Sequence, residues 1–182
     1  MITVFIGGSR AVAKLNAAIR ERLDDLIQRG CHIFIGDANG ADKAVQQHFA
    51  GRGYSSVTVF CVGACRNNVG GWPVREVASE STKKDFAYYA TKDAAMAREA
   101  GCGVMLWDGK SKGTLHNILN LLGAGKKVLV YFSPEKAFHK LSTGEDLTAL
   151  LARCNGREIA RLQSSLAALP SRAQDRLPFQ TR

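Results

Sequence analysis

The stretch Cys102-Gly103-Val104-Met105-Leu106-Trp107-Asp108-Gly109-Lys110-Ser111-Lys112-Gly113-Thr114 decides the fold. Cys102–Trp107 is short, uncharged and continuously apolar, as strands buried on both faces are. Asp108–Thr114 then supplies glycines, a hydroxyl able to cap a helix, and lysines. From Lys112 to Gly123, Leu115, Ile118, Leu119 and Leu122 fall on one stripe, so a helix leaves the turn. A helix N-terminus aims free N–H groups back at the residues before it, and with the lysines this describes an anion cradle. The spacing is not GxxxxGK[ST], and no turn in the chain matches GxGxxG.

The same unit recurs on either side. Ile2–Ile6, His32–Ile35, Val57–Val62 and Lys127–Phe132 read as further strands. Helical spacing runs from Val12 to Arg29, from about Ala41 to Ala50, and from about Lys83 to Ala100 with a break near Thr91. Alternation of this kind, with right-handed crossovers, predicts an α/β three-layer sandwich of the Rossmann-like type. Its mainly parallel sheet would have about five strands. Gly63–Glu80 shows no period and reads as a long loop. After Pro134 the pattern changes, and Thr143–Arg153 and Arg157–Leu169 read as C-terminal helices. The expected division is one domain over residues 1–155, then a helix and basic tail over 156–182.

With 182 residues, 46% hydrophobic and 23% charged, the chain can bury a full sheet-and-helix core. The formal net charge is +9, and residues 153–182 hold six Arg against one Glu and one Asp. No dense basic patch or nucleic-acid module accompanies that tail, so a nucleic-acid partner is only weakly indicated. The five cysteines form no CxxC pair, which favours reduced thiols and no metal centre. No apolar run reaches membrane-spanning length and no leader pattern follows Met1, so a cytoplasmic location is expected.

In an open parallel sheet, ligands bind beyond the carboxyl ends of the strands. Three turns there are unusual. Gly7-Gly8-Ser9-Arg10 combines close backbone approach, a helix-capping hydroxyl and a planar cation. Gly36-Asp37-Ala38-Asn39-Gly40-Ala41-Asp42 adds two carboxylates at a helix start. The third is the Asp108–Thr114 turn. The candidate ligand-binding residues are therefore Gly7, Gly8, Ser9, Arg10, Gly36, Asp37, Asn39, Gly40, Asp42, Asp108, Gly109, Lys110, Ser111, Gly113 and Thr114. Asp37, Asp108 and His116 are the catalytic candidates. Arg66, Asn67, Asn68 and Trp72 in the long loop offer a cation, amides and a face on which a base could stack or which could anchor the loop itself. Tyr88, Tyr89 and Asp93 are expected near the same cleft.

These turns, in this order, resemble the SLOG superfamily, which includes the LOG phosphoribohydrolases and the DNA-processing protein of natural transformation. The matching stretches are Val4–Arg10, Ile35–Asp42 and Leu106–Thr114, and the YspA-like group is nearest in pattern. The resemblance covers about residues 2–132. It implies a nucleotide or nucleotide-derived ligand, no separate cofactor, and self-association through helices flanking the sheet. Relatives that cleave N-glycosidic bonds carry a Glu in a G-T-x-x-E element. Here the run is Gly113-Thr114-Leu115-His116-Asn117, and an amide cannot serve as that carboxylate. Two functions stay open, beside a third, weaker reading as a DNA-associated protein by analogy with the DNA-processing member and the basic tail. One is a nucleotide-binding or sensing module. The other is an N-glycosidic-bond hydrolase or transferase acting on nucleoside monophosphates through Asp37, Asp42 or Asp108, with His116 as acid.

Overall fold

A computed structural model describes residues 1–167 apart from Thr82. The expected basic tail beyond Ala167 lies outside the described residues. The elements are β1 (Thr3–Gly8), α1 (Ala17–Gln28), β2 (His32–Gly36), α2 (Ala41–Gly51), β3 (Val57–Cys61), β4 (Val74–Glu76), α3 (Phe86–Glu99), β5 (Cys102–Trp107), α4 (Lys112–Gly123), β6 (Val128–Phe132), β7 (Ala137–Leu141), α5 (Gly144–Leu151) and α6 (Gly156–Ala167).

The strands form one sheet in the order β4-β3-β2-β1-β5-β6-β7, parallel except for β7. The architecture is the expected α/β three-layer sandwich, with seven strands among the described residues rather than five. The two additional strands lie at the sheet edges, where little selects for an apolar run. All three residues of β4 are exposed. β7 (Ala-Phe-His-Lys-Leu) is mixed in character, because only one of its edges is paired.

Alternation along each strand separates two cores. Val4, Ile6, Ile33, Ile35, Val104 and Leu106 face α1 and α2. Phe5, Met105, Trp107, Val130 and Phe132 face α3, α4, α5 and α6. Leu162 of α6 is buried in that second core, so α6 belongs to the packed body. No helix among the described residues is long and apolar enough to cross a membrane.

Several boundaries shift for local reasons. α1 starts at Ala17, because Asn16, with extended backbone, accepts from Ile19 N–H and caps it. α3 starts after Asp85, which caps it by accepting from Tyr88 N–H, and it runs unbroken through Thr91. The Thr91 hydroxyl donates to the carbonyl of Ala87 inside the helix, so its branched side chain fits without a break.

Candidate functional site

The connection leaving β1 passes to β2 on one side, while β5 pairs on its other side. That reversal makes the gap beyond β1 and β5 the topological switch point, where open α/β sheets hold ligands. A cleft of about 630 Å³ lies there. Its walls come from all three glycine-rich turns and from α3 and the start of α4.

Two backbone approaches shape it. At Gly8 a β-carbon would lie 2.6 Å from the carbonyl oxygen of Leu106 and 2.7 Å from Ala41 Cβ. Gly40, with φ of +87°, passes directly against the backbone of Arg10. Only glycine fits either position, and together they draw the β1 and β2 turns into one wall.

Ser9 has a different role from the one expected. It does not cap α1, which begins eight residues later at Ala17. Its buried hydroxyl donates to Asp108 Oδ1 at 2.9 Å, and it accepts from the Asp108 N–H at 3.2 Å. It also lies 3.2 Å from the Thr114 hydroxyl. Ser9 thus joins the β1 turn to the β5 turn.

The Asp108–Thr114 cradle is partly filled by its own carboxylate. Asp108 Oδ1 accepts from the N–H groups of Lys110 at 3.0 Å and Ser111 at 2.8 Å. Ser111 caps α4 by accepting from Thr114 N–H at 3.3 Å. Among the described residues, the N–H groups of Lys112 and Gly113 are left without partners, as a first helical turn leaves them. Gly113 lines the cleft.

Lys110 is turned away from the cleft. Its side chain is exposed and lies 3.7 Å from Glu158 on α6. Gly109, with φ of +76°, serves the turn and lies against Phe132. The cleft is instead lined by two exposed cations, Arg10 and Lys84, neither of which makes an ion pair among the described residues.

The floor holds a buried charge cluster. Asp37 is almost fully buried and is gripped by Arg66 through Nη2 at 2.6 Å, Nε at 3.0 Å and the backbone N–H at 3.1 Å. Burial alone would raise its pKa; the Arg66 bonds and the nearby Lys92 outweigh that and hold it below the usual carboxylate range. Arg66 also stacks over Tyr89 at 4.5 Å and lines the cleft. Asp37 itself does not line it, so this catalytic candidate is a structural anchor. Asn39 likewise points to the long loop, bonding Asn67 at 3.1 Å.

Lys92 is the residue that sequence reasoning missed. It is 3% exposed, its Nζ is 2.7 Å from Asp93 Oδ1 and 3.9 Å from Asp37 Oδ1, and it lines the cleft. Desolvation would lower its pKa, but Asp93, Asp42 and Asp37 together hold it above the usual lysine value. A signal was available: Lys92 lies on the same helical stripe as Tyr89 and Met96, spaced i−3 and i+4, where a solvated lysine is out of place.

Asp42 completes the floor. Burial pushes its carboxyl up to about 6, against the attraction of Lys92. An acid whose folded pKa exceeds its unfolded value binds extra protons in the native state, so stability falls as pH rises between about 4 and 6. For this shift the loss is about 3 kcal/mol. Relative to wild type, Asp42→Asn should therefore gain about that much stability between pH 4 and pH 7 in urea titrations. A pH-independent difference would remove Asp42 from this role.

Tyr89 and Asp93 line the cleft as expected, and Phe86 adds a second aromatic face. His116 does not line it. It lies against Phe86, with ring centroids 5.5 Å apart, and next to Asn120, and burial lowers its pKa. Trp72 is buried and donates to the carbonyl of Tyr54, so it anchors its own loop and offers no stacking face. Asn68 brackets the same turn, bonding Trp72 N–H and carbonyl. Gln46 ties the loop further, donating to the carbonyls of Gly36 and Asn67 and accepting from Val69 N–H.

The long loop departs from expectation in one more way. Cys61 and Cys65 are joined as a disulfide, where free thiols were expected. The turn at Gly63, with φ of +63°, brings their Cα atoms to 5.3 Å. Asp37, Cys61 and Cys65 offer donor atoms within 4.8 Å of one another. As folded, the sulfurs are bonded to each other and the carboxylate is held by Arg66, so they are not free metal ligands.

Neither the protein-family models nor the curated proteins contain a match to this chain.

Proposed function

We propose that the chain is a nucleotide-binding protein of the SLOG type, taking a phosphorylated nucleoside in the switch-point cleft. The observation that carries this reading is the convergence on one cleft of the Gly113 N–H, unpartnered among the described residues, the exposed cations Arg10 and Lys84, and two aromatic faces. An anion at the α4 N-terminus gains from both the donors and the helix dipole. Phe86 and Tyr89 offer flat surfaces for a base.

A second reading rests on Asp42. A buried carboxyl with a pKa of about 6, beside the carboxylate of Asp93, has the character of a general acid for N-glycosidic cleavage. Asn117 at the position of the relatives' Glu weighs against it, because no carboxylate nucleophile remains there.

Thermal denaturation with a panel of nucleoside monophosphates tests the first reading. A ligand that binds only the native state raises apparent stability by RT ln(1 + [L]/Kd), about 2.7 kcal/mol at a hundredfold excess over Kd. At least one monophosphate should raise Tm, with no free base released on prolonged incubation. No shift with any of them would remove the reading, and steady base release would favour the hydrolase.

A further inference from the structure

We propose that Cys61 and Cys65 are a thiol–disulfide switch, opened by a dithiol reductant at the exposed Cys65, and that its state sets how firmly Arg66 is held on Asp37 at the cleft wall. Such a switch acts on the wall itself, whatever the cleft binds. Cys61 ends β3 and is buried, whereas Cys65 lies in the loop that follows and is exposed. The two are joined as a disulfide. Arg66 comes directly after Cys65. It donates to Asp37 from Nη2, Nε and its backbone N–H, stacks over Tyr89 at 4.5 Å and lines the cleft. The redox pair thus adjoins a residue that ties Asp37 and Tyr89 to the cleft.

Burial sets the direction of attack. Exchange needs a thiolate to reach a sulfur, and Cys65 is the exposed partner. A thiolate of the reductant bonds to Cys65 Sγ, the bond between the two cysteines breaks, and Cys61 leaves with the electron pair and takes a proton. The reductant's second thiolate then displaces the Cys65 sulfur, which is protonated in turn. The pair has gained two electrons and two protons, and the reductant ends as its own disulfide.

The two forms meet Asp37 differently. Both sulfurs and a carboxylate oxygen of Asp37 lie within 4.8 Å of one another. A disulfide carries no proton, so the bonded pair offers that carboxylate no donor. Each reduced sulfur is an S–H donor beside it and competes with Arg66. Reduction also opens the turn. Gly63, Ala64 and Cys65 make no backbone–backbone hydrogen bond among the described residues, so the disulfide is what closes this stretch. The next residue stays anchored, because Asn67 donates to the carbonyl of Asp37 at 2.8 Å and accepts from Gln46 at its own carbonyl. Arg66 stands between the released turn and that anchor. Reduction therefore gives it both a rival for Asp37 and a looser tether, while the rest of the loop keeps its place.

Thiol counting and side-chain hydrogen exchange on the full chain test this together. The chain is oxidised with diamide, then reduced with dithiothreitol, and its thiols are counted in denaturant after each step. With five cysteines, of which Cys31, Cys102 and Cys154 are free, the counts should be three and then five. Solvent exchange of the Arg66 Nε–H is followed in both states by NMR of arginine-labelled protein, the signal being assigned by its loss in Arg66→Lys. Exchange should be at least about tenfold faster in the reduced form, as a hydrogen bond that opens more often allows. Cys65→Ser should show the fast exchange with or without diamide. Five thiols after oxidation, equal exchange in the two wild-type states, or slow exchange in Cys65→Ser would each overturn the switch. The wild-type comparison needs no cysteine variant, so it decides even if Cys65→Ser folds poorly. None of these readouts uses a nucleotide, so the switch and the nucleotide-binding reading fail separately.

Discussion

Lys92→Met is expected to lower the unfolding free energy by about 3–5 kcal/mol at pH 7.5, the range for removing one partner from a buried ion cluster. Methionine fills a similar volume, so the loss reports charge rather than a cavity. The cluster holds three carboxylates, Asp37, Asp42 and Asp93, against two cations, Lys92 and Arg66. Arg66 is already committed to Asp37 through its guanidinium and backbone N–H. Without Lys92, Asp42 and Asp93 face each other with no cation between them. The loss should shrink toward pH 5, because Asp42, whose carboxyl already titrates at about 6 with Lys92 present, then takes up a proton. Urea unfolding at the two pH values measures this. A loss under about 1 kcal/mol at both would mean that the cluster is solvated and that the cleft floor is not as described.

Gly113→Asp is expected to separate stability from binding. The glycine's backbone is compatible with a side chain, and a β-carbon there would meet nothing closer than 3.9 Å. A carboxylate in the first turn of α4 favours the helix dipole, so stability should hold or rise by about 0.5 kcal/mol. The same carboxylate stands where the proposed phosphate would sit. Two like charges about 4 Å apart near a protein surface repel by roughly 4 kcal/mol. Nucleoside monophosphate affinity should therefore fall on the order of a hundredfold or more, with an unchanged or higher Tm in the absence of nucleotide. Retained affinity would mean that the anion binds elsewhere, most directly at Arg10.

Much of the sandwich was legible in the sequence because its central strands are buried on both faces. Ile2–Ile6, His32–Ile35 and Cys102–Trp107 announce themselves as apolar runs, and the glycine-rich turns mark where they stop. The edge strands were not legible: β4 is wholly exposed, and β7 carries His139 and Lys140. In the site, the placing of Gly8, Gly36, Asp42, Gly113 and Thr114 at the cleft agrees with the reading of the turns. The errors share a cause. Residue type shows that a group can bind an anion, but tertiary direction decides what it meets. Lys110 leaves toward α6, the Ser9 hydroxyl is turned to Asp108, which itself lines the cleft, and Asp37 is held by a loop residue 29 positions away. Lys92 was overlooked for the converse reason: a lysine in a helix reads as solvated until the carboxylates around it are known.

In the proposed nucleotide-binding role, the α4 N-terminus at the switch point receives the nucleotide's phosphate. An amide chemical-shift titration with a nucleoside monophosphate tests it at the residue. The largest, saturable shifts are predicted at the N–H groups of Gly113 and Lys112, with smaller ones at Gly8 and Gly36. Shifts confined to residues away from this cleft, or none up to millimolar nucleotide, would contradict it.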